Sequence, residues 1–362
     1  MARPLLVRRN KGKLHAMSGP GEEAIRDAFR MQAAFCRSAG SPLTGDICAV
    51  LAERLDRKTR TGTAILDWPG NPMGDALMMR ITGGLNALAR SGNDKKLSAL
   101  YAARSGDFAG EIPRALTEWD DWLLPWLDGP PQTNEVARAG ALWPGIMAVA
   151  ARFGPDVELL ELGASAGLNL NLDRFGYVLG GVAAGDPGSG VQLKPQWQGK
   201  APVSAPVNVV ARAGVDQNPL DVSKPEVVEQ LMAYVWPDQD ERVARIGAAI
   251  TLARANPPPI SKADAADWLE DRLAQPQPEG VARIVYHSIV LQYVAPEGRA
   301  RIGAAMQRAG AMASAQRPLA WLSYEFPAVA PAAEIRLTLW PGGESRLLGL
   351  AHPHGVVIDW AG

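Results

Sequence analysis

Residues 157–168 read Val-Glu-Leu-Leu-Glu-Leu-Gly-Ala-Ser-Ala-Gly-Leu, and no other stretch of the chain limits its possible folds as tightly. The apolar positions Val157, Leu159, Leu160 and Leu162 suit a strand buried on both faces, the condition of a strand inside a parallel sheet. Gly163 and Gly167 then predict a tight turn, and Leu168, Leu172 and Phe175 recur at helical spacing beyond it. A strand, turn and helix in this order let backbone amides and a helix N-terminus approach a ligand closely. Two chemistries fit the same letters. Glu161 followed by Gly163 and Gly167 suits a nucleoside laid across glycine backbone, whereas Gly163-Ala-Ser165-Ala-Gly167 has the spacing of a G-x-S-x-G elbow presenting a serine nucleophile.

The remainder of the chain sets the context for that choice. Its 362 residues are 47% hydrophobic, enough for two packed units. A net charge of -1 gives no field for gripping nucleic acid. Arg3, Arg8, Arg9, Lys11 and Lys13 cluster near the N-terminus without an apolar region behind them, which reads as a solvated tail rather than a secretory leader. Apolar clusters such as residues 77–79 and 289–291 are core-sized, far below the length of a membrane span. Cys36 and Cys48 are too few for a disulfide framework and wrong for zinc. The expectation is a cytoplasmic protein with a small-molecule substrate and neither nucleic acid nor membrane as partner; composition leaves the oligomeric state open.

Residues 1–132 read as a helical domain or cap. Ile47, Val50, Leu51 and Leu55 form one apolar stripe, Leu77, Ile81, Leu85 and Leu88 a second, and Leu116, Trp119, Leu123 and Trp126 a third. The Trp-rich stripe suits a core or an apolar lid. Thr133 is a candidate N-cap for a helix through Ala137, Leu142 and Ile146 that leads into the glycine turn.

From residue 133 to 362 short apolar strands alternate with helical stretches, which predicts an α/β domain with a largely parallel sheet. Strands are expected over residues 207–213, 259–262, 282–290 and 318–326, with a closing hairpin formed by 335–340 and 346–351. Residues 227–255 are read as mainly helix, broken at Trp236-Pro237. An insertion at about 177–206, rich in Gly, Pro and Ser, has no periodicity and reads as a long surface loop or a flap over the site.

Strand order separates the two chemistries. A hydrolase elbow follows most of its sheet and an oxyanion segment, yet helices precede Ser165 here and at least six strand candidates follow it. The hydrolase alternative would need Ser165 with Asp264 or Asp267 and His352 or His354. Residues 161–175, Arg212-Ala-Gly-Val-Asp216-Gln-Asn-Pro-Leu-Asp221, Val235-Trp-Pro-Asp238-Gln, Asp264-Ala-Ala-Asp267-Trp268-Leu, Tyr286-His287-Ser288 and His352-Pro-His354-Gly resemble an uncharacterised bacterial family, a domain of unknown function. The core of that family is similar to class I S-adenosylmethionine-dependent methyltransferases. The resemblance spans nearly the whole chain and implies a Rossmann-like, mostly parallel sheet with an antiparallel last strand.

It also implies a site. Ligands of open parallel sheets bind beyond the carboxyl ends of the strands, where strand order reverses. Glu161 would then lie near the ammonium end of S-adenosylmethionine, with Gly163, Ser165 and Gly167 forming the turn beneath it. Asp216 would accept from the ribose hydroxyls, although the insertion stretches its distance from Gly167 well past the usual interval of about 20 residues. Were the insertion to hold real strands, that role would be lost. Asp264 would take the adenine amino group with the Ala265 amide near a ring nitrogen, and it equally suits an N-cap. His287 and Ser288, with Tyr324 and Glu325, would face the methyl acceptor, His287 serving as its base; a buried structural histidine is the competing reading. Asn134, Glu135 and Arg138 would reach over the cofactor. The proline in His352-Pro-His354 disturbs the geometry a metal pair needs, so no metal is expected. The expected function is methyl transfer to a small acceptor, or nucleoside binding without turnover, for which the lack of a recognisable acceptor motif speaks.

Overall fold

The computed structural model describes residues 19–327 and 332–362, so the basic N-terminal cluster lies outside the described residues. Helices α1 (Glu22–Ser38), α2 (Pro42–Arg54), α3 (Arg60–Leu66), α4 (Leu77–Ser91), α5 (Lys95–Ala103), α6 (Phe108–Glu118) and α7 (Asp120–Leu123) come first. Next are α8 (Ala139–Phe153), β1 (Asp156–Leu162), a 3-10 stretch over Leu168–Arg174, β2 (Gly176–Leu179), β3 (Val182–Gly185), β4 (Gln192–Leu193) and β5 (Gln196–Gly199). They are followed by β6 (Asn208–Asp216), α9 (Pro225–Ala233), α10 (Asp240–Ala255), β7 (Ile260–Lys262), α11 (Ala265–Ala274) and β8 (Ala282–Ser288). The chain ends with α12 (Pro296–Met312), β9 (Leu319–Glu325), β10 (Ala333–Trp340), β11 (Glu344–Ala351) and β12 (Val357–Trp360). No helix among the described residues is long and apolar enough to cross a membrane.

Two compact units emerge, one of Met1–Thr133 with Lys224–Ala244 and one of Asn134–Ser223 with Arg245–Gly362. In the helical unit the apolar stripes are core: Ile47, Leu51, Leu55, Leu77, Ile81, Leu85 and Leu88 are each 3% exposed or less. Burial of such a side chain contributes about 1.5–3 kcal/mol. Thr59, Asp94 and Asp107 cap α3, α5 and α6 by accepting from the amides of Gly62, Leu97 and Gly110. Periodicity alone assigns residues 224–244 to the α/β part, but the structure packs them with the helices. Asn86 donates to the carbonyls of Ala233 and Val235 at 2.9 and 3.0 Å, and Asp238 accepts the Leu43 amide at 2.8 Å at the start of α2.

The second unit is α/β, with a mostly parallel mixed sheet of order β5-β12-β11-β10-β9-β8-β1-β6-β7. The pairs β7–β6, β6–β1, β1–β8 and β8–β9 are parallel, whereas β9–β10, β10–β11 and β11–β12 are antiparallel. The sheet therefore does not finish on one antiparallel strand after a hairpin; it continues as a meander to β12, beside which β5 returns in parallel. The insertion is not a loop either. β2, β3 and β4 form a separate three-stranded sheet, and β5 extends the main one. Asp216 nonetheless keeps its strand-end place, because β6 pairs directly with β1.

Two local expectations also change. No α-helix follows the glycine turn: residues Leu168–Arg174 form a 3-10 stretch kinked at Asn171, too short to offer a helix N-terminus to a ligand. Glu135, not Thr133, caps the turn before α8, its side chain accepting from the Ala137 amide.

Candidate functional site

Parallel register assigns side chains to faces. Glu161 on β1 is level with Gly214 on β6 and Tyr286 on β8, while Leu162 is level with His287. Glu161 and Tyr286 thus share one face and His287 belongs to the other. On the first face Gly145 of α8 closes on Leu322, and a Cβ on Gly214 would lie 2.7 Å from Leu170. On the second face Leu160, Leu162 and Val285 pack with Leu269, Ile302 and Met306 of α11 and α12.

Glu161 is 2% exposed. Its hydrogen-bonding partner among the described side chains is Tyr286, whose hydroxyl reaches Oε2 at 3.3 Å and the Asn169 carbonyl at 3.2 Å. Burial pushes the Glu161 carboxyl well above the usual carboxylate range; Tyr286 opposes the rise, the nearby Asp216 charge adds to it, and the Arg138 charge reduces it. Glu158, three residues earlier on β1, has a different fate, since Arg283 meets it at 2.7 Å and Arg272 at 3.5 Å.

Five amides of the turn after β1 are spent internally. Gly163 and Ala164 both donate to the Val215 carbonyl at 2.9 and 3.0 Å, Gly167 to that of Ala164 at 2.7 Å, and Leu168 to Asn134 Oδ1 at 2.9 Å. The Ser165 amide donates to Asp216 Oδ2 at 2.8 Å, and Asp216 Oδ1 takes the Asn218 amide at 2.8 Å. Gly163, Ser165 and Gly167 have φ of +70°, +54° and +68°, and the left-handed value at Ser165 is uncommon for a residue with a Cβ. Ser165 is 7% exposed and Asn169 1%, yet Ser165 Oγ and Asn169 Oδ1 are buried without a hydrogen-bond partner among the described residues. Both glycines are approached by the chain itself: a Cβ on Gly163 would fall 2.2 Å from Val290 Cγ2, and one on Gly167 2.5 Å from Pro258.

The residues expected at the site divide into three groups. Glu161, Gly163, Ser165, Gly167 and Asp216 come together at the carboxyl edge of β1 and β6. Asp264 stands one strand farther out and caps α11, accepting the Ala266 and Asp267 amides at 2.9 and 3.2 Å; Ala265 opens that helix. The side chains of His287 and Glu325 are taken up by the protein, and Ser288 is held by its backbone carbonyl. His287 is 0% exposed, its Nδ1 is 2.7 Å from Glu325 Oε1, and its Nε2 receives the Trp321 indole N–H at 2.9 Å. With both ring nitrogens engaged, His287 has none to offer an acceptor, which corrects its assignment as a base. The same Glu325 oxygen accepts the Val290 and Leu291 amides at 3.0 and 3.3 Å, and the Ser288 carbonyl accepts Arg138 Nη1 at 2.9 Å. Tyr324 donates its hydroxyl to the His352 carbonyl.

Asn134 and Glu135 brace the turn rather than reach over it, Glu135 through its carbonyl to Asn169 at 3.2 Å. The serine triad is not assembled, because Asp264 is a cap, Asp267 pairs with Arg301 at 2.7 Å, and Ser165 Oγ touches no base among the described residues. His352 and His354 lean edge to face at 5.3 Å, and no group of three His, Cys, Asp or Glu among the described residues could hold a metal ion. Asn169 and Val290 are not among the site residues expected from the sequence, and Tyr286 joins the site because parallel register sets it level with Glu161.

The family described as "uncharacterized protein conserved in bacteria (DUF2332)" matches residues 26–360, and the chain belongs to it. No curated protein and no solved structure matches the chain.

Proposed function

We propose that this member of the DUF2332 family binds S-adenosylmethionine at the carboxyl edge of β1, β6 and β8 and transfers its methyl group to a small acceptor. The observation that carries the reading is the polarity of the site. Glu161, Asp216, Ser165 Oγ and Asn169 Oδ1 offer acceptors, while the turn's amides at Gly163, Ala164, Ser165, Gly167 and Leu168 are already bonded. Such a set opposes a phosphate, which needs donors, and suits a ligand carrying positive charge and hydroxyl or ammonium donors. S-adenosylmethionine has that character at its sulfonium, its ammonium and its ribose.

The order β7-β6-β1-β8-β9 adds support, since the first strand lies centrally and order reverses between β1 and β8. A class I methyltransferase would share this order over five strands, and the meander beyond β9 departs from such a sheet. Glu161 would hold the ammonium end, Asp216 would present its remaining lone pairs to the ribose, and Asp264 its uncapped oxygen to the base. When bound, the cofactor supplies the electrophilic methyl. With His287 and Glu325 engaged elsewhere, the protein's contribution is alignment and exclusion of water. The same engagement favours a second reading, a nucleoside-binding protein without turnover. Titration of S-adenosylhomocysteine into the folded protein tests the binding claim, and assay with labelled S-adenosylmethionine over a panel of small acceptors separates transfer from binding alone.

A further inference from the structure

We propose that residues 289–293 form a gate over Gly163 and that Glu325 is its latch. The inference rests on the cofactor reading for what the gate admits, but its mechanics stand on the loop's own geometry. Val290 occupies the space against Gly163 that a ligand crossing the glycine backbone would need. The residue before it, Ile289, has φ +51°, a left-handed conformation that a β-branched side chain adopts only when its surroundings impose it. Tyr324 and Glu325 supply those surroundings. The Ile289 amide is tied to the Tyr324 carbonyl at 2.8 Å, and one oxygen of Glu325 gathers the amides of Val290 and Leu291 together with His287.

His287 in turn is fixed by Trp321, so the latch is braced from the sheet rather than from the loop. On its outer side the loop meets solvent, Tyr293 being 76% exposed. Release of Glu325 would let Ile289 relax toward ordinary backbone angles and lift Val290 from Gly163. Glu325 is then a positioning residue that sets how often the site is open, and an apparent affinity scales with that open fraction.

The test places a thiol on the gate. In Val290→Cys, reaction with an aromatic disulfide reagent reports how often residue 290 leaves Gly163, while Cys36 and Cys48, each 0% exposed, report unfolding of the helical unit and the near-ultraviolet circular dichroism signal reports loss of packing in the α/β unit as well. Adding Glu325→Ala should speed labelling at position 290 by about tenfold or more with the other two thiols unmoved, and Glu325→Gln, which keeps an oxygen for the two amides, should speed it less. In a Val290 background Glu325→Ala should raise the association rate of S-adenosylhomocysteine by a similar factor. An unchanged rate at position 290, or all three thiols accelerating together, overturns the gate. A gate that opens while S-adenosylhomocysteine binds none of these proteins overturns the cofactor reading and leaves the gate's motion established.

Discussion

The Tyr286 hydroxyl meets the Glu161 carboxylate at 3.3 Å from a level position on the adjacent strand, and both side chains are sealed from solvent. Glu158 on the same strand has arginines, whereas Glu161 has a phenol, and a buried carboxylate without a bonded cation is costly. On the proposed reading, a cationic ligand at the point where strand order reverses would supply the partner that this carboxyl lacks and favour its ionised form.

That cost has a pH signature. The folded carboxyl of Glu161 titrates above its unfolded value, so the folded protein retains a proton that the unfolded chain releases. The resulting stabilisation is full below the unfolded value and is lost as pH rises through the folded one. Glu161→Gln cannot ionise, so in urea unfolding its stability relative to wild type should rise as pH is raised above the ordinary carboxylate range. A variant whose stability runs parallel to wild type as pH is raised would contradict the assignment.

A cation seated on Glu161 should drive the proton off. Calorimetry of S-adenosylmethionine binding in two buffers of different ionisation heat is expected to show proton release that Glu161→Gln abolishes. Adenosine, which lacks the charged amino-acid end, should release none. Equal release by both ligands would place the titrating group elsewhere.

Gly163 is required twice over, by its φ of +70° and by Val290 at 2.2 Å from a Cβ. Gly163→Ala should destabilise the protein, and adding Val290→Ala should recover the steric part while leaving the left-handed penalty of about 1–2 kcal/mol. Thermal unfolding of the four proteins of this cycle gives the answer; additive effects would mean that the two residues do not meet.

His287→Ala removes a buried ring that satisfies Trp321 and Glu325, and a loss of about 2–4 kcal/mol in denaturant unfolding is expected. Because His287 is no base in this account, any methyl transfer by the folded variant should keep the wild-type pH profile. Disappearance of one titration from that profile would restore His287 to the chemistry.

Strand β1 was legible because four apolar residues and two glycines leave few alternatives, and the later parallel strands β6, β8 and β9 followed from the same kind of run. The strands of the insertion were not. Gln-Trp-Gln-Gly in β5 is a polar edge strand with one large apolar side chain, and the four residues of β12 are too few for alternation to register. Nor does helical spacing distinguish a 3-10 stretch of seven residues from the first turns of an α-helix, which is why Leu168, Leu172 and Phe175 suggested one. At the site, Glu161, the glycines and Asp216 announced themselves by type and position. The neutralising embrace of His287 by Trp321 and Glu325 depends on the register of β8 against β9, which a single sequence does not carry.

The central claim is that an acceptor-lined turn holds a cationic nucleoside, and titration calorimetry with S-adenosylmethionine tests it most directly. The account predicts one molecule bound per chain, with binding weakened at least about tenfold in Glu161→Ala. A folded wild-type protein and a folded Glu325→Ala variant that both give no heat and no thermal shift would contradict it.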